Sequence, residues 1–577
     1  MMLWIETGLL VLALILAVVC PALGASWFEK LEIGINWLAR RRRLAIIVVG
    51  LATLTLRAAL LPVLPIPEPI VHDEFGYLLA ADTFAHGRLT NPTHPMWTHF
   101  ETFSIIQKPT YQCFAQPAQG ITLALGQVVF GHPFWGVWLS AGLMCAALCW
   151  MLQAWMPARW ALIGSILAIL RYSTTTYWAN SYWGGAMGAI GGALLLGALP
   201  RIKRMQRVRD AVIMGVGLAI LANSRPFEGF AMSLPVAASL FLWMFSKRSP
   251  SSLVSFRRIV VPVCLVLVPV TLAMGYYCWR VTGSPLQMPY QAERQEYAVA
   301  PYLLWQPLHF QPEYHSEAMR QMYAHDEVMG YQFFASWVGV IAKLVWSWRF
   351  FLGPALTLPL LMMVVVLPNS FSWSRISRRT RLLLFMCAVG LLAMAAETFW
   401  NPHYLSPFTS VLLALAMLAL RQLAAWRCWG EPSGLFLVRA VVMVCSALFL
   451  LRSAGGPLAA DEFFAQAWYQ RGALSVGRAS MRKKLEGLPG NHLVIVRYKA
   501  ERNLFYEWVY NEADIDLAKV VWAREISPDD DQKLLTYFHG RRIWLLEPDE
   551  NPIRLSEYPL DGLHPPPQPK LKLEAVN

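Results

Sequence analysis

Arg40-Arg41-Arg42-Arg43, an apolar run from Leu44 to Leu64, prolines from Pro62 to Pro69, and then Val71-His72-Asp73-Glu74-Phe75-Gly76-Tyr77 form one continuous stretch. Consecutive arginines beside an apolar run mark the cytoplasmic side of a membrane. The run is close to the ~20 residues that cross a bilayer as a helix. It therefore carries the His72-Asp73-Glu74 turn to the outer face. Asp73 fits two compatible roles there. It is a candidate catalytic base, and it can cap a helix starting near Phe75, with Glu74 in the first turn.

The pattern around this stretch repeats along the chain. Of 577 residues 56% are hydrophobic and 15% charged, against roughly 25% charged in soluble domains. Apolar runs of spanning length recur without strict alternation, which predicts helices rather than barrel strands. The net charge of +13 sits in short loops between runs, as expected of loops facing anionic lipid and not of a nucleic-acid-binding surface. The cysteines fall mostly inside apolar runs, without CxxC or Cys/His metal spacing. Cys113, in a polar loop, and Cys278, near the end of an apolar run, are the pair that could form a disulfide.

About twelve transmembrane helices are expected, with both termini outside. They lie near residues 3–23, 44–64, 133–155, 160–176, 184–199, 211–223, 230–245, 259–279, 350–367, 382–397, 405–420 and 436–451. Basic turns at Arg201 to Arg209, Lys247 to Arg258, Arg375 to Arg381 and Arg421 to Arg427 alternate with turns poor in Lys and Arg. Two long outer loops, 67–132 and 281–331, break this rhythm. The first predicts helices at Phe75–His86 and Gly120–Phe130, too short to span. An amphipathic stretch, Phe333 to Trp348, is expected on the membrane surface. Beyond Gly455, Leu493–Val496, Val520–Trp522 and Ile543–Leu546 read as short strands, with a helix from Asp529 to Phe538. That order predicts a small parallel α/β domain. Pro565-Pro566-Pro567 predicts a disordered end. The chain divides into 1–43 (an extra span and the Arg run), a membrane unit 44–453, and an outer α/β domain with its tail, 454–577.

Separate hairpins bring polar residues to one face: His72, Asp73, Glu74, Tyr77, Lys108, Arg225, Glu293, Arg294, His403 and Tyr404. A carboxylate beside cations suits transfer to a hydroxyl. The hydroxyl needs a general base, and a departing phosphate needs positive charge. Each residue also has a plainer reading. Lys108 can snorkel to the interface, Arg225 can anchor a span end or pair with Glu228, and His403 and Tyr404 suit an interfacial belt. His309, His315 and His325 lack compact metal spacing; His72 could hold a metal or orient a carboxylate. Arg57 and Arg171, inside apolar runs, must face protein or water. The small residues from Gly184 to Gly192 predict close helix packing.

The order of His72-Asp73-Glu74-Phe75-Gly76-Tyr77, Lys108-Pro109, Gln116-Pro117-Ala118-Gln119-Gly120, Asn180-Ser181-Tyr182-Trp183-Gly184-Gly185, Arg225-Pro226-Phe227-Glu228-Gly229 and His403-Tyr404-Leu405-Ser406-Pro407 resembles the GT-C superfamily of integral membrane glycosyltransferases. Its branch of protein O-mannosyltransferases and lipid A aminoarabinose transferases is the most similar, over roughly residues 44 to 425. The resemblance implies inverting transfer of a sugar from a polyprenyl-phosphate donor to an envelope glycan, lipid or protein acceptor. The reaction would take place on the outer face of a bacterial inner membrane. Asp73 would serve as base or acceptor-orienting group with Glu74 beside it, and Lys108 would sit near the donor phosphate with Arg225 assisting. His72, Tyr77, Arg294, His403 and Tyr404 complete the expected substrate site. No cofactor is established, and a divalent metal stays open. Gln107 stands where the aminoarabinose branch tends to carry a metal-linked carboxylate, and Ala118 departs from the usual proline motif. The rival readings are a lipid-linked-sugar flippase or transporter without chemistry, and a scaffold acting through its tail.

Overall fold

The computed structural model describes residues 1–246, 251–366, 376–454, 473–499, 502–504 and 506–559. The expected basic positions Lys247, Arg248 and Arg375, and the Pro565-Pro566-Pro567 end, lie outside them.

Among the described residues, eight helices are long and apolar enough to cross a membrane: Met2–Val19, Phe134–Trp155, Ala186–Met205, Pro226–Met244, Leu253–Thr282, Arg378–Ala396, Pro402–Leu423 and Ser433–Ala454. All coincide with expected spans. The number becomes nine if Glu317–Ala335 and Trp337–Phe351, bent by 88°, form one broken span. The remaining expected spans fall on Arg42–Ala59, Ala158–Ala168, Val208–Ser224 and Gly353–Val366. The sequence accounts for their lower hydropathy or length. Arg42–Ala59 contains Arg42, Arg43 and Arg57, and Ala158–Ala168 passes into a π-turn at Ile169–Ser173. Phe333 to Trp348 is not one surface helix: it contains the bend, where Ser336 caps the second helix through Gly339 N.

The two arginines inside apolar runs both meet protein partners, as apolar surroundings require. Arg57 is 1% exposed and donates to the carbonyls of Leu64 (3.0 Å) and Ala179 (3.3 Å). Arg171 reaches Glu6 of the first helix at 3.3 Å, and the same Glu6 oxygen accepts Ala355 N at 2.9 Å. Small residues pack as expected: a Cβ on Gly192 would collide with the Pro407 carbonyl, and one on Gly188 with Ser406 Oγ.

The first long loop folds into two longer helices, a single helical turn at Trp97–Phe100 and a small sheet. His72–Ala85 packs on Pro117–Phe130, and Gly120 permits this contact, since its Cβ would lie 2.7 Å from that of Ala80. Strand Thr110–Cys113 pairs antiparallel with Asn91–Pro92 and Ile105–Ile106. Cys113 and Cys278 are both free.

Three of the C-terminal strands form at the places read from sequence, and a fourth, Arg554–Glu557, was not expected. Their order is Val520–Arg524, His492–Val496, Arg542–Glu547, Arg554–Glu557, the first three parallel and the last antiparallel. The helix Pro528–Tyr537 begins under a Ser527 cap. One face of this sheet packs on the first loop: Leu493, Ile495, Val521 and Ile543 share an apolar cluster with Phe75, Leu79, Phe100 and Tyr111.

Candidate functional site

The helix His72–Ala85 begins by giving its two acidic side chains different partners. Glu74 is 1% exposed. One of its oxygens accepts Ile70 N (2.9 Å) and Val71 N (3.0 Å); the other accepts Tyr182 N (2.9 Å). Thus Glu74, not Asp73, satisfies the backbone at the helix start, as an acidic residue at the third helical position does. Its carboxylate is spent on that turn and does not line the cavity described below. Burial pushes its pKa up to about 7.

Asp73 is half-buried, with Oδ1 accepting the Ser104 hydroxyl at 2.8 Å and Oδ2 the Trp183 indole N–H at 2.7 Å. The close approach of Ser104 depends on Gly76, where a Cβ would stand 2.8 Å from the Ser104 carbonyl oxygen. Ser104 itself takes a left-handed φ of 63°. The Trp183 ring is backed by His403 (centroids 4.7 Å apart), whose Nδ1 meets the Tyr177 hydroxyl at 3.0 Å. Burial raises the Asp73 pKa above the ordinary carboxylate value; Ser104, Trp183 and the Arg225 charge oppose the rise. The result is a carboxylate with two donors and a raised proton affinity, suited to accept a proton.

Asp73 faces a cavity of about 730 Å³. Of the residues expected from sequence, His72, Tyr77, Arg225, Arg294 and Tyr404 line it as well. Arg225 lies 4.2 Å over the Tyr404 ring and 3.7 Å from Glu228. Arg294 pairs with Glu327 at 2.7 Å and donates to Ala300 O at 2.6 Å. His72 Nδ1 is 2.8 Å from the Tyr510 hydroxyl, and burial pushes its pKa down to about 4. Glu74, Lys108 and His403 do not line the cavity. Lys108 is exposed, its Nζ 3.8 Å over the Trp97 ring, because Gln107 takes the inward position and donates to Phe100 O.

Trp183 and Ser104 were not singled out for the site from the sequence, whereas Glu293 was. Trp183 sits in a quoted motif and could have been found there; Ser104 has no local signal. Glu293 lines the cavity at 3% exposure and accepts a hydrogen bond from Tyr323, with its pKa pushed up to about 7 by burial. Among the described residues, no group of three or more His, Cys, Asp or Glu is arranged to hold a metal ion. His309, His315 and His325 instead meet Ala298 O, Glu101 and Asp326 separately.

No family model matches the chain, and no curated protein matches it in sequence. Solved structures do. ArnT from Cupriavidus metallidurans bound to undecaprenyl phosphate superposes with a TM-score of 0.50 at 13% identity, covering 87% of this chain and 92% of that one. The apo state of the same protein gives 0.47 at 14%, covering 91% and 93%. An oligosaccharyltransferase from Archaeoglobus fulgidus in complex with zinc and sulfate gives 0.48 at 11%, covering 87% of this chain and 67% of that one. The resemblance read from the sequence therefore holds at the level of the fold, and this chain is folded like an integral membrane glycosyltransferase of the GT-C superfamily.

Proposed function

We propose that the protein is a membrane glycosyltransferase that moves a sugar from a polyprenyl-phosphate donor to an acceptor hydroxyl, with inversion, on the extracytoplasmic face. The observation that carries this reading is the Asp73 carboxylate, held by Ser104 and Trp183 at the edge of a cavity that also contains Arg225 and Arg294. The acceptor oxygen attacks the anomeric carbon as the bond from that carbon to the phosphate oxygen breaks. Asp73 takes the hydroxyl proton. Arg225 and Arg294 stabilise the charge that develops on the leaving lipid phosphate, which arginine can hold through paired hydrogen bonds. Lys108 has a smaller place in this scheme than in the sequence reading, because it points away from the cavity. A fold shared with a protein solved bound to undecaprenyl phosphate supports a lipid-phosphate donor. With the shorter helices counted as crossings, the chain crosses a bacterial inner membrane about twelve times, both termini outside.

The test is mass spectrometry of envelope glycans and glycolipids from cells carrying the wild type, a deletion or Asp73→Asn. The expected result is one sugar mass lost in both the deletion and Asp73→Asn, with activity of the purified variant down about 10²-fold or more. A mass lost on deletion but kept in Asp73→Asn removes Asp73 as the base. No change in either strain favours transport without chemistry.

A further inference from the structure

The cavity wall is not built by the membrane unit alone. Asn503, Leu504 and Tyr506, which precede the C-terminal strand Val520–Arg524, line it together with Asp73 and Arg225. A chain of contacts ties this segment to the first loop. Leu504 packs in one apolar cluster with Phe103. The Phe103 ring stands edge-on to His72, with centroids 4.6 Å apart. Tyr510, on the same C-terminal segment, meets His72 Nδ1 and stacks on Phe75 with centroids 4.0 Å apart. His72 and Phe75 flank Asp73 within one helical turn, so the C-terminal segment is anchored on the turn that carries the proposed base.

We infer that the C-terminal unit forms the acceptor wall of this cavity, with Asn503 and Tyr506 binding a polyhydroxylated acceptor headgroup. The inference rests on the transferase reading above. A base must touch the hydroxyl it deprotonates, so the acceptor lies beside Asp73. The cations that suit a donor phosphate, Arg225 and Arg294, stand on elements of the membrane unit, and a lipid donor enters from the bilayer. That leaves the wall anchored on His72 and Phe75 for the acceptor. An amide and a phenol at the wall suit hydroxyl recognition: the amide both donates and accepts hydrogen bonds, and the phenol adds an apolar face. A glycan and a glycolipid head share this chemistry.

The full-length protein in lipid nanodiscs tests it. The donor is the undecaprenyl-phosphate form of the sugar found by the mass difference. The acceptors are the lipid-soluble and the water-soluble fractions of an envelope extract from cells lacking the protein; the fraction that gains label tells glycolipid from free glycan. Asn503→Ala and Tyr506→Ala are expected to cut transfer about tenfold each, the loss of roughly one hydrogen bond. Donor hydrolysis by water and binding of undecaprenyl phosphate should stay at wild-type levels. Tyr506→Phe and Asn503→Gln serve in place of any alanine variant that does not fold. Unchanged transfer, or transfer and hydrolysis falling together, overturns the inference. Asp73→Asn and the wild type separate the two levels: no transfer by the wild type ends the transferase reading, an active Asp73→Asn removes Asp73 as the base, and an inactive Asp73→Asn with wall variants that match wild type ends only the acceptor wall.

Discussion

Asp73 holds its proton affinity in balance between burial, which favours the neutral acid, and three groups that favour the anion: Ser104, Trp183 and Arg225. Only the anion can act as a base, so activity falls as pH drops through its raised pKa. Arg225→Gln removes a charge that favours the anion and should move the acid limb of the pH–rate profile toward neutral pH; Trp183→Phe should move it the same way. A hydrogen bond to a charged group is worth about 1.5 to 3 kcal/mol, so at acidic pH the Trp183→Phe loss should be about tenfold or more. An unmoved acid limb in both variants would mean that another group titrates. Glu74, the next residue and one methylene longer, supports the backbone instead. Glu74→Ala leaves the N–H groups of Ile70, Val71 and Tyr182 without their acceptor. Each costs about 1 to 3 kcal/mol when buried, so a clear fall in Tm in detergent is expected. An unchanged Tm would return Glu74 to the list of chemical groups.

Among the elements, the first-loop helix and the Ser104 turn depend on one missing side chain. Gly76→Ala sets a methyl group against the Ser104 carbonyl and the Cys113 sulfur. Overpacking of this kind costs about 1 to 3 kcal/mol, and relief requires the turn to retreat from Asp73. Both Tm and turnover should fall in Gly76→Ala, whereas Ser104→Ala should lower turnover with little change in Tm. Comparing the two by thermal melting and initial rates separates packing from the hydrogen bond. The C-terminal strands were legible because Leu493–Val496 and Ile543–Leu546 are short apolar runs between polar turns. The bend at Ser336 was not, since an apolar stretch with scattered serines reads the same whether straight or broken.

At the scale of the molecule, the first helix is tied into the membrane unit by charge. The Arg171 and Glu6 side chains that form this pair are 4% and 5% exposed. Stranding one partner of a buried pair costs about 3 to 5 kcal/mol, whereas replacing both by apolar groups can be nearly neutral. Glu6→Ala should therefore lower Tm strongly, and Glu6→Ala with Arg171→Met should recover part of the loss. Equal melting of the single and double variants would show that the pair does not couple these helices. The sequence reading set residues 1–43 apart as an addition; the contact of Glu6 with Arg171 and Ala355 explains why the first helix packs as part of the bundle.

By itself the sequence determined the helical membrane class, three of the four strands of the C-terminal unit and the position of Asp73 near the start of a short helix. These follow from hydropathy, charge placement and turn residues, which are local and can be read along one dimension. Tertiary structure alone decided which of two adjacent carboxylates faces the cavity, that Lys108 turns outward, and that Trp183 and Ser104 hold Asp73. It also decided that the C-terminal segment reaches the same cavity, with His72 meeting Tyr510 across 438 residues of chain. The physical reason is direction. A one-residue step along a helix turns a side chain by about 100°, and which neighbour it then meets depends on elements far away in sequence.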